Sequence, residues 1–414
     1  MPGLRSSKSP ERPQLPGVFL ALLMVAEPVA LKTSSPWSAL WTTPCVLLAS
    51  IVITWGAESA QFFVAQGFAL AILAWMQTLP EFAVEAVLAW RQQTGLLLAG
   101  LTGALRLLTG LAWPMIYATA AIVHRRREKQ PLRKIQLDLH HSVEVVGLLF
   151  PLLYALVIWR KAELHVYDGV ILICFYLGYL YILVRLPPQE REEIEELETV
   201  PRRIVLAPRP WRIFGIGGCF LAGGGLIYFA AAPFLGSLSA LAIAFGIPTF
   251  VVIQWFAPVI SEFPELLSTF YFARQEEKAP LALMNIASSN INQWTLLFAM
   301  LPIVFSLSRH SISAIPLNPE QRRELLLTIG QNLIAAMFLL NMEFTWVEAV
   351  CLFVLFAAQF VLPPFFGAAA TVWIIAAFFA WTALEVLLML LRRNWPPAIV
   401  SFLTTWREHV RAEE

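Results

Sequence analysis

Hydrophobic residues run along this chain in long uninterrupted stretches, and polar residues are gathered in the short segments between them. The stretches recur from residue 41 to residue 391. Most are long enough to form an α-helix of about 20 residues, the length that crosses the hydrocarbon core of a membrane. Charged residues make up only 14% of the sequence, against roughly 25% in soluble globular chains. The pattern therefore predicts an all-α integral membrane protein with many spans.

The apolar stretches divide into ten core spans and one further span near the C terminus. In the first half we place two spans within 41–90, a third at 96–123, a fourth near 140–160 and a fifth near 166–184. In the second half the spans lie at 213–242, 246–273, 280–308, 323–342 and 344–362, and the additional C-terminal span lies at 368–391. A shorter stretch at 17–31 predicts a short or partly inserted N-terminal helix, because it is too short to cross the membrane fully.

The distribution of basic residues predicts the orientation of the spans. The most basic segment, HRRREKQPLRK at 124–134, is expected on the cytoplasmic side, because cytoplasmic loops carry an excess of lysine and arginine. Counting alternate crossings then places the charged linker 187–212 and the pair Arg392 and Arg393 on the same side. The acidic run EREEIEELE at 190–198 is interpreted as a solvated helix, with a cation-responsive regulatory patch as the alternative.

Composition also limits the partners. The net charge is only +1, so there is no electrostatic case for binding nucleic acid. The expected partners are the lipid bilayer and inorganic cations, and the expected location is a multi-pass position in a membrane, the cell membrane if the chain is prokaryotic. The four cysteines are scattered singly, without a paired metal-binding spacing. No resident cofactor is expected.

The two halves of the chain resemble each other. The segment MQTLPEFAVEAVLA (76–89) aligns with ISEFPELLSTFYFA (260–273) around a shared Pro-Glu, and the two begin 184 residues apart. A second matching pair, 167–180 and 347–360, is offset by 180 residues. Because each half holds five spans, an odd number, the second copy enters the membrane from the opposite side. Inverted repeats of this kind are typical of transporters, which bind substrate where the repeats meet.

The predicted organisation has five parts. Two inverted five-helix repeats occupy 37–186 and 213–364, and the charged cytoplasmic linker 187–212 joins them. Residues 1–36 form an N-terminal tail with the short apolar helix. Residues 365–414 hold the extra span and the C-terminal tail.

Each repeat places a proline and a glutamate inside an apolar helix. Pro80 and Pro264 each remove one helical hydrogen bond, which frees the backbone carbonyl four residues earlier. A freed carbonyl and a buried acid are both costly in lipid unless something binds to them. Glu81 and Glu265 stand beside these breaks, and oxygen ligands of this kind suit hard cations such as calcium. Sodium ions or protons could compete for the same oxygens.

Helical spacing gathers further polar residues near these glutamates. In the second repeat, Ser261 lies one turn from Glu265, and in the first Gln77 lies one turn from Glu81. On the eighth span a polar stripe contains Asn285, Ser289, Asn292 and Gln293. Either Pro-Glu alone would also fit a kinked helix with a neutral, hydrogen-bonded glutamic acid. Their equivalent positions in the two repeats favour an ion site, whereas Glu85 and Glu262 could each face a neighbouring polar group instead.

At these residues the chain resembles the calcium/cation antiporter superfamily, the sodium/calcium exchangers and their prokaryotic relatives. That family has two inverted repeats, each with a G-T-S-x-P-E-L-like helix followed by a G-N-x-x-G-S-N-x-x-N/D-like helix. The second repeat, FGIPTFVVIQWFAPVISEFPELL and then LALMNIASSNINQ, matches well. The first repeat, MQTLPEF and then LAGLTGALRLL, matches poorly beyond Pro-Glu. The resemblance covers roughly residues 40–390.

The resemblance implies a set of cation ligands. The ion-binding glutamates fall on Glu81 and Glu265. The hydroxyl pair of each motif falls on Gln77 and Thr78 in the first repeat and on Ser261 and Glu262 in the second. The serine of the following helix falls on Ser289, and its acid or amide falls on Gln293. Asn285 joins this candidate set because it lies on the same polar stripe.

The first repeat departs from the family pattern in its third span. The family's serine falls on Ala104 and its Asn or Asp on Leu108, so this wall of the site lacks side-chain oxygens. Arg106 lies between them, and two residues correspond to about 200° around a helix. Arg106 is therefore expected to point away from the face that carries Ala104 and Leu108. If it reached the site, its charge would offset one glutamate.

The expected function is secondary active cation antiport, with calcium exchanged for sodium or protons by alternating access through a two-glutamate site in the middle of the membrane. The alternative is a divergent relative that senses cations or stabilises partners without transporting. An intramembrane enzyme is disfavoured, because neither an H-E-x-x-H nor a G-x-G-D motif occurs. The protein is therefore interpreted as a transporter and not as an enzyme.

Overall fold

The computed structural model describes residues 35–63, 78–186, 194, 197–392 and 395–410. The apolar stretch 17–31, the candidate ligand Gln77 and most of the acidic run 190–198 lie outside these ranges. Within them the chain is almost entirely helical. Seven helices are long and apolar enough to cross a membrane, and one further bent pair passes the same test together.

The first half contains five helices, with only the second part of the second span described. They are α1 (Pro36–Phe63), α2 (Leu79–Trp90), α3 (Ala99–Glu128), α4 (Leu139–Lys161) and α5 (Val166–Arg185). A short helix of the linker, α6 (Thr199–Leu206), follows.

The second half repeats this order and then continues. Its helices are α7 (Arg209–Phe245), α8 (Thr249–Ser261), α9 (Phe263–Ala273), α10 (Glu276–Ser308), α11 (Pro319–Leu339) and α12 (Trp346–Val361). After them come α13 (Pro363–Phe366), the extra span α14 (Ala368–Arg392) and α15 (Pro397–Thr405).

Four very short strands join the two repeats at the ends of the bundle. They are β1 (Lys134–Gln136), β2 (Glu163–Leu164), β3 (Ile315–Pro316) and β4 (Glu343–Thr345). β1 pairs with β4 and β2 with β3, both antiparallel. Because α4 separates β1 from β2 and α11 separates β3 from β4, the two pairs lie at opposite ends of the bundle. Each half thus exchanges the same two segments with the other, as a pseudo-twofold axis in the membrane plane requires.

The third span of each repeat carries the same backbone irregularity. A π-helical turn occupies Leu108–Ala112 in α3 and another occupies Gln293–Leu297 in α10. The two turns begin 185 residues apart, close to the offset between the two Pro-Glu segments. π turns inside α-helices are rare and are found frequently at functional sites. The predicted all-α membrane fold with repeated helical units is confirmed.

Close helix packing explains the glycine-rich seventh helix. A Cβ atom added to Gly223 of α7 would lie 2.6 Å from Cγ1 of Ile53 and 3.0 Å from the carbonyl oxygen of Ala49, both on α1. Small residues at such contacts allow helix backbones to approach within a membrane. α7 therefore packs tightly on α1, so the first helices of the two repeats lie directly against each other.

Candidate functional site

The site begins at two helix breaks. In the second repeat α8 and α9 are bent by 52° at Glu262, and Pro264 lies in the first turn of α9. In the first repeat α2 starts at Leu79, with Pro80 in its first turn. Proline fits the first turn of a helix because its missing N–H would have no partner there. Both prolines therefore start a new helical segment inside the bundle.

Each break places a glutamate in the first turn of the new segment. Glu81 lies in α2 and Glu265 in α9, and both side chains are almost fully buried. Acidic side chains are favoured at the N-terminal end of a helix, where the helix dipole is positive. The backbone contacts are equivalent, since the carbonyl of Thr78 accepts from the N–H of Phe82 and that of Glu262 from the N–H of Leu266.

Three carboxyl groups meet at this point. The carboxyl group of Glu262 lies within hydrogen-bonding range of those of both Glu81 and Glu265, so it bridges the two repeats. Two donors come from α10: Oγ of Ser289 donates to Oε2 of Glu265 at 3.1 Å, and Nε2 of Gln293 donates to Oε1 of Glu262 at 3.0 Å. The structure therefore brings five of the predicted site residues together.

Several buried oxygens at this cluster lack a donor. Neither carboxyl oxygen of Glu81 receives a hydrogen bond from a donor group, and the same holds for Oε1 of Glu265 and Oε1 of Gln293. Ionised carboxylates only accept hydrogen bonds, and like charges in contact cannot all remain ionised without compensation. The cluster therefore calls for protons or a cation between its oxygens.

Acidic side chains alone do not complete a metal site here. In the described ranges, no group of three or more His, Cys, Asp or Glu side chains is arranged to hold a metal ion. A hard cation at the cluster would thus also need hydroxyl, amide or backbone oxygens, which calcium accepts readily. Ser289 and Gln293 supply oxygens of these two types.

The remaining predicted ligands are buried but make other contacts or lie farther along the helices. Thr78 precedes α2 and is 1% exposed, and Ser261 is 6% exposed, with its hydroxyl 3.5 Å from the carbonyl oxygen of Pro258. Asn285 is buried on α10, one turn before Ser289. Gln77 falls outside the described residues.

Sequence reasoning did not count Asn290 and Asn292 among the candidate ligands. Both are buried on α10, and in both the amide oxygen and nitrogen lack a hydrogen-bond partner. Asn292 lies on the predicted polar stripe, so its periodicity was a usable signal. Asn290 lies off that stripe, and only the tertiary packing of α10 shows that it is buried.

The equivalent wall from the first repeat is apolar. Ala104 and Leu108 of α3 correspond to Ser289 and Gln293 of α10, and both are completely buried. The guanidinium group of Arg106, between them, pairs with Glu324 of α11 at 2.9 Å and donates to Oε1 of Gln359 of α12 at 3.2 Å. Only one side of the site thus carries oxygens on its third span.

Glu85 faces a helix terminus and not only the cluster. Its Oε1 accepts the backbone N–H of Leu101 at 3.1 Å, in the first turn of α3. Gly100 lies so close that an added Cβ atom would collide with the same oxygen. Of the two readings left open for Glu85, contact with a neighbouring polar group is therefore the one observed, while Oε2 has no partner.

Comparison with known proteins agrees with this architecture. The sequence profile of the family described as sodium/calcium exchanger protein matches residues 34–185 and 216–365, one segment in each repeat. A comparison with curated proteins gave no significant match.

Solved structures extend the comparison. The chain is similar to the crystal structure of the H+/Ca2+ exchanger CAX, with 30% identity over 95% of this chain and 98% of that one and a TM-score of 0.81. The structure of native YfkE shares the fold at 15% identity, covering 87% and 99% of the two chains, with a TM-score of 0.58. A structure of the sodium-calcium exchanger NCX_Mj shares it at 18% identity, covering 78% and 98%, with a TM-score of 0.51. With two profile segments that fall on the two inverted repeats, this chain belongs to the sodium/calcium exchanger family.

Proposed function

We propose that this protein is a secondary antiporter that exchanges calcium ions for protons across the membrane. Membership of the exchanger family supports cation antiport, and the similarity to a solved H+/Ca2+ exchanger at 30% identity supports the choice of ions. In this proposal Glu81 and Glu265 bind the ion near the middle of the membrane. Glu262, Ser289, Gln293 and backbone carbonyls complete its oxygen shell.

One observation carries this proposal: Glu262 bridges Glu81 and Glu265 in a buried cluster that has no donor for either oxygen of Glu81. Protons on these carboxyl groups stabilise the cluster in the absence of calcium, because burial and mutual repulsion both disfavour the ionised forms. A divalent cation stabilises the ionised forms instead. Calcium and protons therefore compete for the same oxygens, which is the requirement for exchange.

Protons fit the first-repeat wall better than sodium ions. Each sodium ion needs several oxygen ligands, whereas Ala104 and Leu108 contribute none from their side chains. Arg106 adds a fixed positive charge on the same helix, which its pairing with Glu324 compensates. A proton needs only one carboxyl oxygen.

Alternating access would follow from sliding of the first two spans of each repeat against the remaining helices. The tight packing of α7 on α1 supports movement of these two helices as one unit. The breaks before α2 and α9 belong to the moving part, whereas Ser289 and Gln293 belong to α10. Contacts between Glu265 and Ser289 would then form and break during the cycle.

Calcium uptake by proteoliposomes tests the proposal. The purified protein is reconstituted, an outward or inward pH gradient is imposed, and radioactive calcium is followed with and without sodium. We expect proton-driven calcium transport that Glu81→Gln and Glu265→Gln abolish and that Glu385→Gln preserves. Glu385 is a matched control because it lies in α14 and bonds to Trp381 of the same helix. Transport that survives the double variant would refute the site assignment.

The apolar wall at Ala104 and Leu108 also favours a second candidate, a relative that binds cations without transporting them. Such a protein would bind calcium in detergent through Glu81 and Glu265 and would show no calcium flux under any gradient. The same preparation therefore separates the two functions.

A further inference from the structure

We infer that Glu262 carries a third exchangeable proton, so that each calcium ion is exchanged for three protons and each cycle moves one net charge across the membrane. This inference rests on the proposed function. The charges balance as follows: with three protons the cluster is neutral, and with three carboxylates and one calcium ion it carries a charge of −1. Exchange of two positive charges for three leaves one net positive charge moving with the protons.

The geometry distinguishes Glu262 from an ordinary buried acid. It is 2% exposed, it lies at the 52° bend between α8 and α9, and it touches the carboxyl groups of both repeats. The equivalent position in the first repeat is Thr78, which cannot ionise in this range. The repeats therefore contribute unequally, with one carboxyl group from the first and two from the second.

No fixed positive charge compensates the cluster. The titratable groups that face Glu262 are Glu81 from α2 and Glu265 from α9, and Glu85 lies next to Glu81. The side chain that α10 presents to it is the neutral amide of Gln293. Arg106 is paired with Glu324, and in the described parts of the chain none of the ion pairs involves the three clustered acids. Without a cation, all three must therefore be neutralised by protons.

Calcium binding releases the proton of Glu262 as well as the other two. The hydrogen bond from Gln293 stabilises the ionised carboxylate. Glu262 also stands at the N-terminal end of α9, where the helix dipole favours negative charge. A calcium ion between Glu81 and Glu265 lies within reach of the Glu262 carboxylate, which touches both. Glu262 is therefore a ligand in the loaded state and a proton carrier in the unloaded state.

The test is a reversal-potential measurement in proteoliposomes loaded with calcium. The membrane potential is set with potassium and valinomycin, the pH gradient is set independently, and the calcium gradient at which net flux vanishes is recorded. With three protons per calcium, this gradient shifts about tenfold for every 59 mV and about 1,000-fold for every pH unit. Because flux vanishes at equilibrium, the result does not depend on the orientation of the protein in the vesicle.

The Glu262→Gln variant removes only the third proton. We expect the calcium gradient of this variant to become independent of potential and to shift about 100-fold per pH unit. Glu262→Asp, which keeps the carboxyl group, should keep the potential dependence, as should the control Glu385→Gln.

The outcomes separate the inference from the proposed function. A wild-type protein that transports calcium without any dependence on potential would overturn the inference and leave the proposed function intact. A wild-type protein that moves no calcium under either gradient would overturn the proposed function. If Glu262→Gln fails to fold or transport, the wild-type reversal potential still decides between two and three protons.

Discussion

Arg106 in the first repeat and Glu324 in the second form an ion pair at 2.9 Å inside the helix bundle. Nε of Arg106 also donates to the carbonyl oxygen of Thr102 at 3.0 Å, and its guanidinium group lies 4.7 Å from the ring centroid of Trp255. Gln254, beside Trp255 on α8, donates to Glu324 at 3.0 Å. One arginine thus connects α3, α8 and α11, and its charge is spent on this contact away from the three clustered glutamates.

Removing the arginine alone should destabilise the protein. Arg106→Met leaves the Glu324 carboxylate without its counter-charge, which costs about 3–5 kcal/mol for fully buried pairs. We expect a smaller loss here because the Glu324 side chain is 17% exposed. The melting temperature in detergent should fall by several degrees, and Arg106→Met with Glu324→Met should recover most of it.

The exposed neighbour Arg323 provides the control for this pair. Arg323→Met should leave the melting temperature unchanged, because that side chain lies outside the bundle interior. A double variant as unstable as Arg106→Met alone would show that the arginine acts through its packing on Trp255 and not through the pair.

Ser289 and Ser288 offer a matched pair for the hydrogen bond to Glu265. Ser289→Ala removes the donor to Oε2 of Glu265, a bond that favours the ionised carboxylate. Calcium binding should weaken by roughly 5- to 10-fold, the equivalent of about 1 kcal/mol. Without that donor the proton is held more firmly, so the pH midpoint of calcium binding should move upward.

Calcium titrations over a range of pH measure both effects. Ser288→Ala is the control, since its hydroxyl contacts the hydroxyl of Tyr179 at 3.2 Å and not a glutamate. An unchanged pH midpoint in Ser289→Ala would contradict the assigned role of this serine.

A serine at position 104 should partly restore the missing wall of the site. Ala104 is equivalent to Ser289, and Glu81, on the first-repeat side, has no donor for either oxygen. A hydroxyl that donates to Glu81 would stabilise its ionised form by about 1 kcal/mol. Ala104→Ser should therefore bind calcium roughly 5- to 10-fold more tightly, as measured by titration calorimetry. Ala120→Ser, at another buried position of α3, should leave calcium affinity unchanged.

The sequence predicted the elements of the site better than their connections. Pro80, Glu81, Pro264 and Glu265 were recognisable because a proline beside an acid in an apolar helix has few structural uses, and because the pattern occurs twice. The structure then placed the two glutamates against one common neighbour. The linkage through Glu262 was one of two readings, because helical periodicity gives the face of a residue but not its partner.

Contacts between helices distant in the chain were not predictable in the same way. Arg106 could be expected to point away from Ala104 and Leu108, yet its partner Glu324 lies on a helix of the other repeat. The contact of Glu85 with the N–H of Leu101 depends on how α2 meets the start of α3. The π turns also leave no mark on the side-chain pattern, because they change the backbone hydrogen bonds.

A glycine on α3 tests whether α8 must move past the third span. A Cβ atom added to Gly103 would collide with the backbone carbonyl oxygen of Gln254 on α8. A backbone atom cannot rotate away, so Gly103→Ala must push α3 and α8 apart, at a cost of about 1–3 kcal/mol for overpacking. We expect a lower melting temperature and calcium transport reduced by more than the loss of folded protein explains. The control is Gly224→Ala on α7, where an added Cβ meets no atom within 4 Å and alanine favours the helix by up to about 1 kcal/mol. Normal transport per folded molecule in Gly103→Ala would show that the α3–α8 contact does not limit the cycle.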